Sequence, residues 1–144
     1  MLLVLWMAMI FLMSAEPGAE STETSNLVAG IIYGFYDFVW HGASHLSESE
    51  FMALYLQPIR KLAHFTEFMI LGILLYINIR EYRKDKAFLY SLICSALYAL
   101  SDEIHQLFVV NRYCSLKDMC IDTAGALFGI CLCHLVYSRW KKRH

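Results

Sequence analysis

Proline and glycine are scarce in this chain, and no segment repeats. Two of its 144 residues are proline and seven are glycine, a composition that excludes collagen-like and low-complexity proteins. Its five cysteines are an odd number and give no disulfide framework, although a bond between Cys114 and Cys120 stays open. The sequence also lacks a glycine-rich phosphate loop, a nucleophile elbow and the CxxC and HExxH metal motifs, and nothing in it indicates nucleic-acid binding. Function must therefore be inferred from the positions of its polar residues.

The chain is too apolar for an ordinary soluble domain. Hydrophobic residues make up 58% of it, and its mean hydropathy is +0.47. These values and four apolar segments predict an all-α polytopic membrane protein, a four-span helical bundle that forms one domain over residues 1–144. The segments cover residues of about 1–14, 60–79, 87–106 and 118–137.

The first apolar segment is the shortest of the four. A helix that crosses the hydrocarbon layer of about 30 Å needs roughly 20 residues, which only the other three segments provide. The first is therefore a short span or the apolar part of a signal peptide, although no positively charged start precedes it.

Positive charge is concentrated in two segments of the chain. One lies between the second and third predicted spans and the other after the fourth, and together they hold eight Lys and Arg residues but only Glu81 and Asp85 as acids. The positive-inside rule places both segments in the cytoplasm. The sequence therefore predicts cytoplasmic N- and C-termini, a cytoplasmic tail at 138–144, and an outer location for residues 15–59 and 102–117.

The first outer loop has a polar part and an apolar part. Residues 14–26 are rich in Pro, Gly, Ser and Thr and predict an exposed connection. Residues 27–40 are apolar and aromatic but too few for a span, which favours a short helix at the membrane interface or one packed on the outer ends of the bundle. Pro58 is expected to begin the second span, because proline is favoured in the first turn of a helix.

Three of the predicted spans bring ionisable residues to a similar height above the cytoplasmic boundary. At a rise of about 1.5 Å per residue, the heights are about 18 Å for Glu67, about 22 Å for His64, Asp102 and Asp122, about 27 Å for His105 and about 28 Å for Asp118. Ionisable groups are costly at that depth, and charged loop ends would not need to lie so deep. The common height therefore favours a polar site in the outer leaflet.

Helical spacing places the polar residues on shared faces. Side chains three or four positions apart lie on the same side of a helix. Two such sets are present, Lys61, His64 and Glu67 in the second span and Asp102, His105 and Gln106 in the third. Glu103 lies about 100° from Asp102 around the helix and is expected only at the mouth of the site.

Small residues lie below the acids on the same faces. They are Ser91, Ser95 and Ala99 in the third span, and Gly125 and Gly129 in the fourth. Small side chains and a GxxxG pair mark close contacts between membrane helices. The acids above them are therefore expected to point into the bundle and not into lipid.

Three interpretations of this cluster remain open. In the first, imidazole and carboxylate groups bind a divalent metal ion, with ligands drawn from His64, His105, Asp102, Asp118 and Asp122. In the second, an anionic head group binds Arg60, Lys61 and Arg112, and a His–Asp pair moves protons.

In the third interpretation the cluster is a buried structural network. It pairs His64 with Asp102 or Asp122, and Arg112 with Asp118, and so holds the helices in register. We expect direct His–carboxylate hydrogen bonds but no metal and no other cofactor, because Arg112, Lys61 and Lys117 would repel a cation and favour an anion.

The motifs of the polar cluster resemble those of the VanZ-like membrane proteins. The resemblance is carried by RKLAHFTEFMILGILLY at 60–76, ALSDEIHQLFVVNR at 99–112, SLKDMCIDTAGALFGI at 115–130 and FLMSAEP at 11–17. It implies that the first segment is a retained, short span. The chain departs from the pattern at Val110 and Asn111, where a Pro-Gly-like turn is common in the family.

The resemblance implies a role in the bacterial cell envelope. The founding member of the family is linked to low-level resistance to the glycopeptide antibiotic teicoplanin. Carried over residue by residue, the motif singles out Lys61, His64, Asp102, Glu103, His105, Gln106, Arg112, Asp118 and Asp122.

The leading hypothesis is a membrane protein that binds a lipid-linked or lipidated anionic ligand at an outward-facing site. The ligand would be an envelope lipid, a cell-wall precursor or a glycopeptide antibiotic. The predicted ligand-binding residues are Lys61, Glu67, Glu103, Gln106, Arg112, Asp118 and Asp122, and those with a hypothetical catalytic role are His64, Asp102 and His105. One alternative is a hydrolase or transferase that acts on an envelope lipid head group with His105 as general base. Another is a proton-coupled transporter, for which four spans without a repeat form a small scaffold.

Overall fold

The computed structural model describes residues 1–16, 18–39 and 46–143, and all regular structure in these ranges is helical. The predicted all-α class is confirmed. These ranges contain five α-helices and a single 3₁₀ turn, at Lys84–Lys86 between the third and fourth helices. The α-helices are α1 (Leu2–Ser14), α2 (Gly18–Val39), α3 (Glu48–Tyr82), α4 (Ala87–Gln106) and α5 (Leu116–Arg143).

Three segments in the described ranges are long and apolar enough to cross a membrane. They are Glu48–Tyr82, Lys84–Gln106 and Leu116–Trp140. Helix α1 is also apolar but has only 13 residues, so a fourth span stays a prediction. The chain is therefore an α-helical protein with three membrane-type helices and a short apolar fourth.

Helices α3 and α5 touch backbone to backbone at glycines. A Cβ atom on Gly125 would lie 2.2 Å from the carbonyl oxygen of Phe65, and one on Gly129 would lie 2.2 Å from that of Met69. Gly72 of α3 faces the α5 backbone in the same way. The close contact predicted from the GxxxG pair is confirmed, and the partner helix is α3. Ser91, Ser95 and Ala99 of α4 are likewise fully buried.

Helix α1 packs into the bundle despite its shortness. The Trp6 indole donates a hydrogen bond to the carbonyl of Glu67 on α3, and the Tyr98 hydroxyl of α4 donates one to the carbonyl of Met7. Ile10 is fully buried in the same apolar core as Phe68. These contacts bring the C-terminal end of α1 to the polar end of α3 and α4.

Helix α2 begins earlier than the sequence suggested. The polar stretch expected to be an exposed connection is helical from Gly18, so α2 has 22 residues instead of a short apolar helix. Its aromatic face packs on α3, with the rings of Tyr33 and Tyr36 centred 5.4 and 5.5 Å from that of Phe51. This packing holds the apolar half of α2 against α3. Its placement relative to the membrane stays a prediction, and Trp40 lies outside the described residues.

Helix α3 also begins before the expected position. Ser47 caps it, because its hydroxyl accepts the Glu50 amide while the Glu50 carboxylate accepts the Ser47 amide. Pro58, expected to start the helix, lies inside it. The Ser-x-x-Glu capping box ahead of an apolar run is the sequence signal that indicates the true start.

The opposite end of the bundle holds a separate aromatic cluster. The Tyr76 hydroxyl lies 3.0 Å from Nδ1 of His134. The Arg80 guanidinium carbon lies 4.3 Å from the centre of the Tyr137 ring. Because His134 has a hydrogen-bond partner inside this cluster, it needs no ligand to satisfy it.

Candidate functional site

A polar cavity of about 400 Å³ opens at one end of the bundle, between α3, the end of α4, the 107–115 loop and the start of α5. Seven of the ten predicted site residues line it: Lys61, His64, Glu103, Gln106, Arg112, Asp118 and Asp122. Five further residues complete the lining: Gln57, Arg60, Asn111, Tyr113 and Ile121. The structure thus brings most of the predicted set together around one space.

Three cationic side chains border the cavity. Lys61 forms an ion pair with Asp118, with 3.6 Å between Nζ and Oδ1, but both side chains are about half exposed, so the pair contributes little to stability. Among the described side chains, no carboxylate lies within ion-pairing distance of Arg60 or Arg112. The cavity therefore has two guanidinium groups whose charge the described part of the protein does not neutralise by direct contact.

Arg112 fixes the 107–115 loop to the end of α1. Its Nε donates to the carbonyl of Glu16 at 3.1 Å, and one terminal nitrogen donates to the carbonyl of Met13 at 3.4 Å. The hypothetical pairing with Asp118 is therefore wrong, because the arginine bonds to carbonyl groups more than 90 residues away in sequence. Partial burial, and next the neighbouring Arg60 guanidinium, lower the pKa of Arg112.

The turn before Arg112 has a residue other than glycine in the left-handed region. Asn111 has φ of +60°, in the left-handed region where asparagine is among the better tolerated residues after glycine. Asn111 thus stands in place of the Pro-Gly-like sequence, and it is a residue type that tolerates the left-handed backbone of this turn.

Asp102 lies one layer behind the cavity. It is 2% exposed, and its Oδ2 accepts hydrogen bonds from the Ser14 hydroxyl at 2.8 Å and from the Gln106 amide at 3.0 Å. The carboxylate thereby joins α1 to α4 and orients Gln106, which does line the cavity. Ser14 was not predicted, and its only sequence signal is its position at the end of the first apolar segment.

Glu103 is buried and not confined to the mouth. It is 1% exposed, and its Oε2 accepts the Ser115 amide at 2.6 Å. The Ser115 hydroxyl in turn accepts the Asp118 amide at 3.3 Å. The expectation was wrong because the chain reverses after α4 and places the start of α5 directly over this carboxylate. Glu103 therefore fixes the N-terminus of α5.

The two histidines have different surroundings. His64 lines the cavity, and its buried Nδ1 has no hydrogen-bond partner in the described residues and lies 3.8 Å from Oε2 of Glu67. His105 is outside the cavity lining, where its ring stacks on Phe11 with 4.2 Å between ring centres. The expected direct His–carboxylate hydrogen bonds do not form in the described part of the chain. His64 is the histidine placed for contact with a ligand.

Unpartnered buried atoms concentrate at this end of the bundle. In the described residues, four of the five such atoms are Nδ1 of His64, Oδ1 of Asp102, Nε2 of His105 and Oδ1 of Asp122. A buried polar atom without a partner costs about 1–3 kcal/mol, and native proteins keep few of them. All four belong to residues that the sequence predicted for the site, and two of them, His64 and Asp122, line the polar cavity.

The described residues contain no group of three or more His, Cys, Asp or Glu side chains arranged to hold a metal ion. Cys114 and Cys120 are both free and exposed, so the disulfide left open by the sequence is not formed.

A second, smaller cavity of about 120 Å³ adjoins the first and shares Arg60, His64 and Arg112 with it. We call it the side cavity. Its other lining residues come from three helices: Met13 and Glu16 at the end of α1, Ser25 and Val28 of α2, and Ile59, Ala63 and Glu67 of α3. Glu67, predicted to bind ligand, thus lines the side cavity and not the polar one.

Comparison with known proteins identifies the family of the chain. No curated protein and no solved structure matches the chain. The protein family described as VanZ/LLP1 matches residues 1–137, a range that contains every residue of both cavities. The chain belongs to the VanZ/LLP1 family.

Proposed function

We propose that this protein binds an anionic, lipid-linked or lipidated ligand of the cell envelope in the polar cavity. The observation that carries the proposal is the pair Arg60 and Arg112, which border the cavity without a carboxylate partner among the described side chains. A guanidinium group binds phosphate or carboxylate through paired, charge-assisted hydrogen bonds. An anion between the two arginines would also relieve the repulsion between them.

The size and position of the cavity suit such a ligand. A volume of about 400 Å³ falls within the range of small-molecule sites, roughly 300–1,000 Å³. The cavity lies at the end of the bundle opposite the basic 80–86 segment, which the positive-inside rule places in the cytoplasm. The ligand would then be an envelope lipid or cell-wall precursor of the outer leaflet, or a glycopeptide antibiotic, as the family's link to teicoplanin implies.

Binding can be tested on the purified protein in detergent. A ligand that binds only the folded state raises the unfolding temperature, and the probes are inorganic phosphate, glycerol 3-phosphate and dioleoyl phosphatidic acid. Replacing Arg60 with Gln should weaken binding by about tenfold or more, because a charged hydrogen bond contributes about 1.5–3 kcal/mol. Arg60→Lys should lose less, since it keeps the charge.

Arg83 supplies the matched control, because it is an exposed arginine outside both cavities. Arg83→Gln should bind all three probes like the wild type. Equal weakening by Arg60→Gln and Arg83→Gln would show only a general charge effect, and no stabilisation of the wild type by any probe would contradict the proposal.

The cellular role is tested by resistance. In a strain whose teicoplanin resistance depends on this gene, Arg60→Gln should reduce resistance while the amount of folded protein in the membrane stays close to normal. Loss of phenotype in proportion to loss of protein would instead support a purely structural role for the cluster.

One observation favours a second candidate, a hydrolase or transferase that acts on the head group. His64 lines both cavities, and its Nδ1 has no hydrogen-bond partner among the described residues, so it can exchange a proton with a bound substrate as a general acid or base. His64, and not the predicted His105, would then carry the proton. Turnover of dioleoyl phosphatidic acid that is lost in His64→Gln, with binding retained, would support this candidate.

A further inference from the structure

We infer that the side cavity receives the hydrocarbon chain of the ligand next to its anionic group, so that the ligand is a membrane lipid whose head and chain are held on opposite sides of Arg60 and His64. This inference rests on the proposed function and specifies the class of ligand. The side cavity and the polar cavity share three lining residues, so a single molecule can extend from one into the other.

The two cavities differ in chemistry. Polar atoms dominate the accessible lining of the polar cavity, whereas the side cavity presents mainly carbon. The apolar lining side chains come from three helices and are Met13, Val28, Ile59 and Ala63. Contact with such a surface favours hydrocarbon over a second polar group, because burying apolar area is the main source of favourable free energy.

The side cavity also has access to the surface of the bundle. Met13, Val28 and Ala63 belong to three different helices, and all three are exposed. In a membrane, apolar residues on the outside of a helical bundle face lipid chains. A chain that enters between α2 and α3 can therefore leave the cavity directly into the bilayer.

Polarity and volume fix the direction of the ligand. Both cavities contain carboxylates, Glu16 and Glu67 in the side cavity and Glu103, Asp118 and Asp122 in the polar one, and both are lined by Arg60 and Arg112. The polar cavity adds Lys61 and the amide side chains of Gln57, Gln106 and Asn111, and it has about 400 Å³ against about 120 Å³ for the side cavity. The anionic group thus belongs in the polar cavity and the chain in the side cavity.

The available volume limits what can enter. A volume of about 120 Å³ equals the share of about four water molecules in the liquid. That space accommodates a short segment of one hydrocarbon chain but not a peptide. A small anionic head group carried close to a hydrocarbon chain, as in a phospholipid, is the ligand that fits both cavities at once.

The test fills the side cavity with a tryptophan side chain and compares the binding of two probes that each carry a phosphate group. Ala63→Trp fills it from α3 and Val28→Trp from α2, so a failure of one variant to fold does not decide the result. Binding of dioleoyl phosphatidic acid should weaken about tenfold, the effect of losing roughly two buried methylene groups. Binding of glycerol 3-phosphate, which has no chain, should stay within about twofold. Both affinities are measured by thermal stabilisation of the purified protein in detergent.

Matched controls place the same residue elsewhere on the same helices. Ala53 of α3 and Ile32 of α2 are exposed and line neither cavity, so Ala53→Trp and Ile32→Trp should bind both probes normally. Equal effects of Ala63→Trp on both probes, or on neither, would overturn the inference while leaving the proposed function intact. A wild-type protein that binds neither probe would overturn both.

Discussion

At the residue scale, the buried carboxylates of this protein serve different purposes. Glu103 accepts a backbone amide and fixes the start of α5, whereas Asp102 receives two side-chain donors and joins α1 to α4. Asp122 is 1% exposed, lines the polar cavity and keeps one oxygen without a partner in the described residues. In the described residues, Asp122 thus presents an unpartnered oxygen in the polar cavity, whereas the unpartnered Oδ1 of Asp102 lies behind it.

Substitutions of Asp102 test whether its carboxylate stabilises the fold by joining α1 to α4. Asp102→Ala should lower the free energy of unfolding by about 1–3 kcal/mol, because the Ser14 hydroxyl and the Gln106 amide would be left buried without an acceptor. Asp102→Asn should lose less, since its carbonyl oxygen can accept the same two bonds. The measurement is unfolding of the purified protein in detergent, with circular dichroism as the signal.

Ser101, the exposed neighbour of Asp102, is the control position for these two substitutions. Its hydroxyl bonds only to a carbonyl of its own helix, so Ser101→Ala should change stability by less than about 0.5 kcal/mol. If Asp102→Ala were as stable as the wild type, the contact between Ser14 and Asp102 would not contribute to holding α1 in the bundle.

At the element scale, the contact between α3 and α5 determines the shape of the polar cavity, since both helices line it. Gly125→Ala should reduce stability by about 1–3 kcal/mol, the usual cost of overpacking. Its Cβ would lie 2.2 Å from the Phe65 carbonyl oxygen, and a backbone atom cannot move aside as a flexible side chain can. Thermal unfolding and the yield of folded protein measure the effect.

Gly34 of α2 is the matched control for Gly125, because a Cβ atom there would meet nothing within 4 Å. Gly34→Ala should be neutral or stabilise the protein by up to about 1 kcal/mol, because alanine loses less conformational entropy in a helix. Equal tolerance of both substitutions would mean that α3 and α5 do not depend on glycine for their close approach.

The elements also show which features the sequence could predict. Helical spacing was sufficient to predict that Lys61 and His64 lie on the same face, since that placement depends only on the periodicity of one helix. The start of α3 differs from the prediction because the capping box of Ser47 and Glu50, and not Pro58, begins the helix. Helix α2 was predicted only over its apolar second half, because the polar, Pro- and Gly-containing stretch before it is typical of a connection, whereas the structure is helical from Gly18.

The remaining contacts of the site depend on tertiary placement. Ser14 and Asp102 are 88 residues apart, and Arg112 bonds to a carbonyl 96 residues earlier. No pattern within one helix contains such a pairing. The side cavity was not predicted for the same reason, since its walls come from α1, α2 and α3.

At the scale of the whole molecule, the two ends of the bundle have opposite character. One end carries the polar cavity, and the other carries the cluster of Tyr76, His134 and Arg80 beside the basic 80–86 segment. The positive-inside rule assigns the basic end to the cytoplasm. This assignment decides which leaflet would supply the proposed ligand, because a lipid would enter from the leaflet nearest the side cavity.

The orientation can be tested with single cysteines in a variant whose five native cysteines are replaced. Asp85 and Val110 are suitable positions, since both are exposed and lie on connections at opposite ends of the bundle. Asn111 is less suitable because its φ of +60° would strain a cysteine. In intact cells a membrane-impermeant maleimide should label Val110→Cys but not Asp85→Cys, and both should react once the membrane is permeabilised. Labelling of Asp85→Cys alone would reverse the orientation, place the cavity on the cytoplasmic side and make an inner-leaflet lipid the ligand.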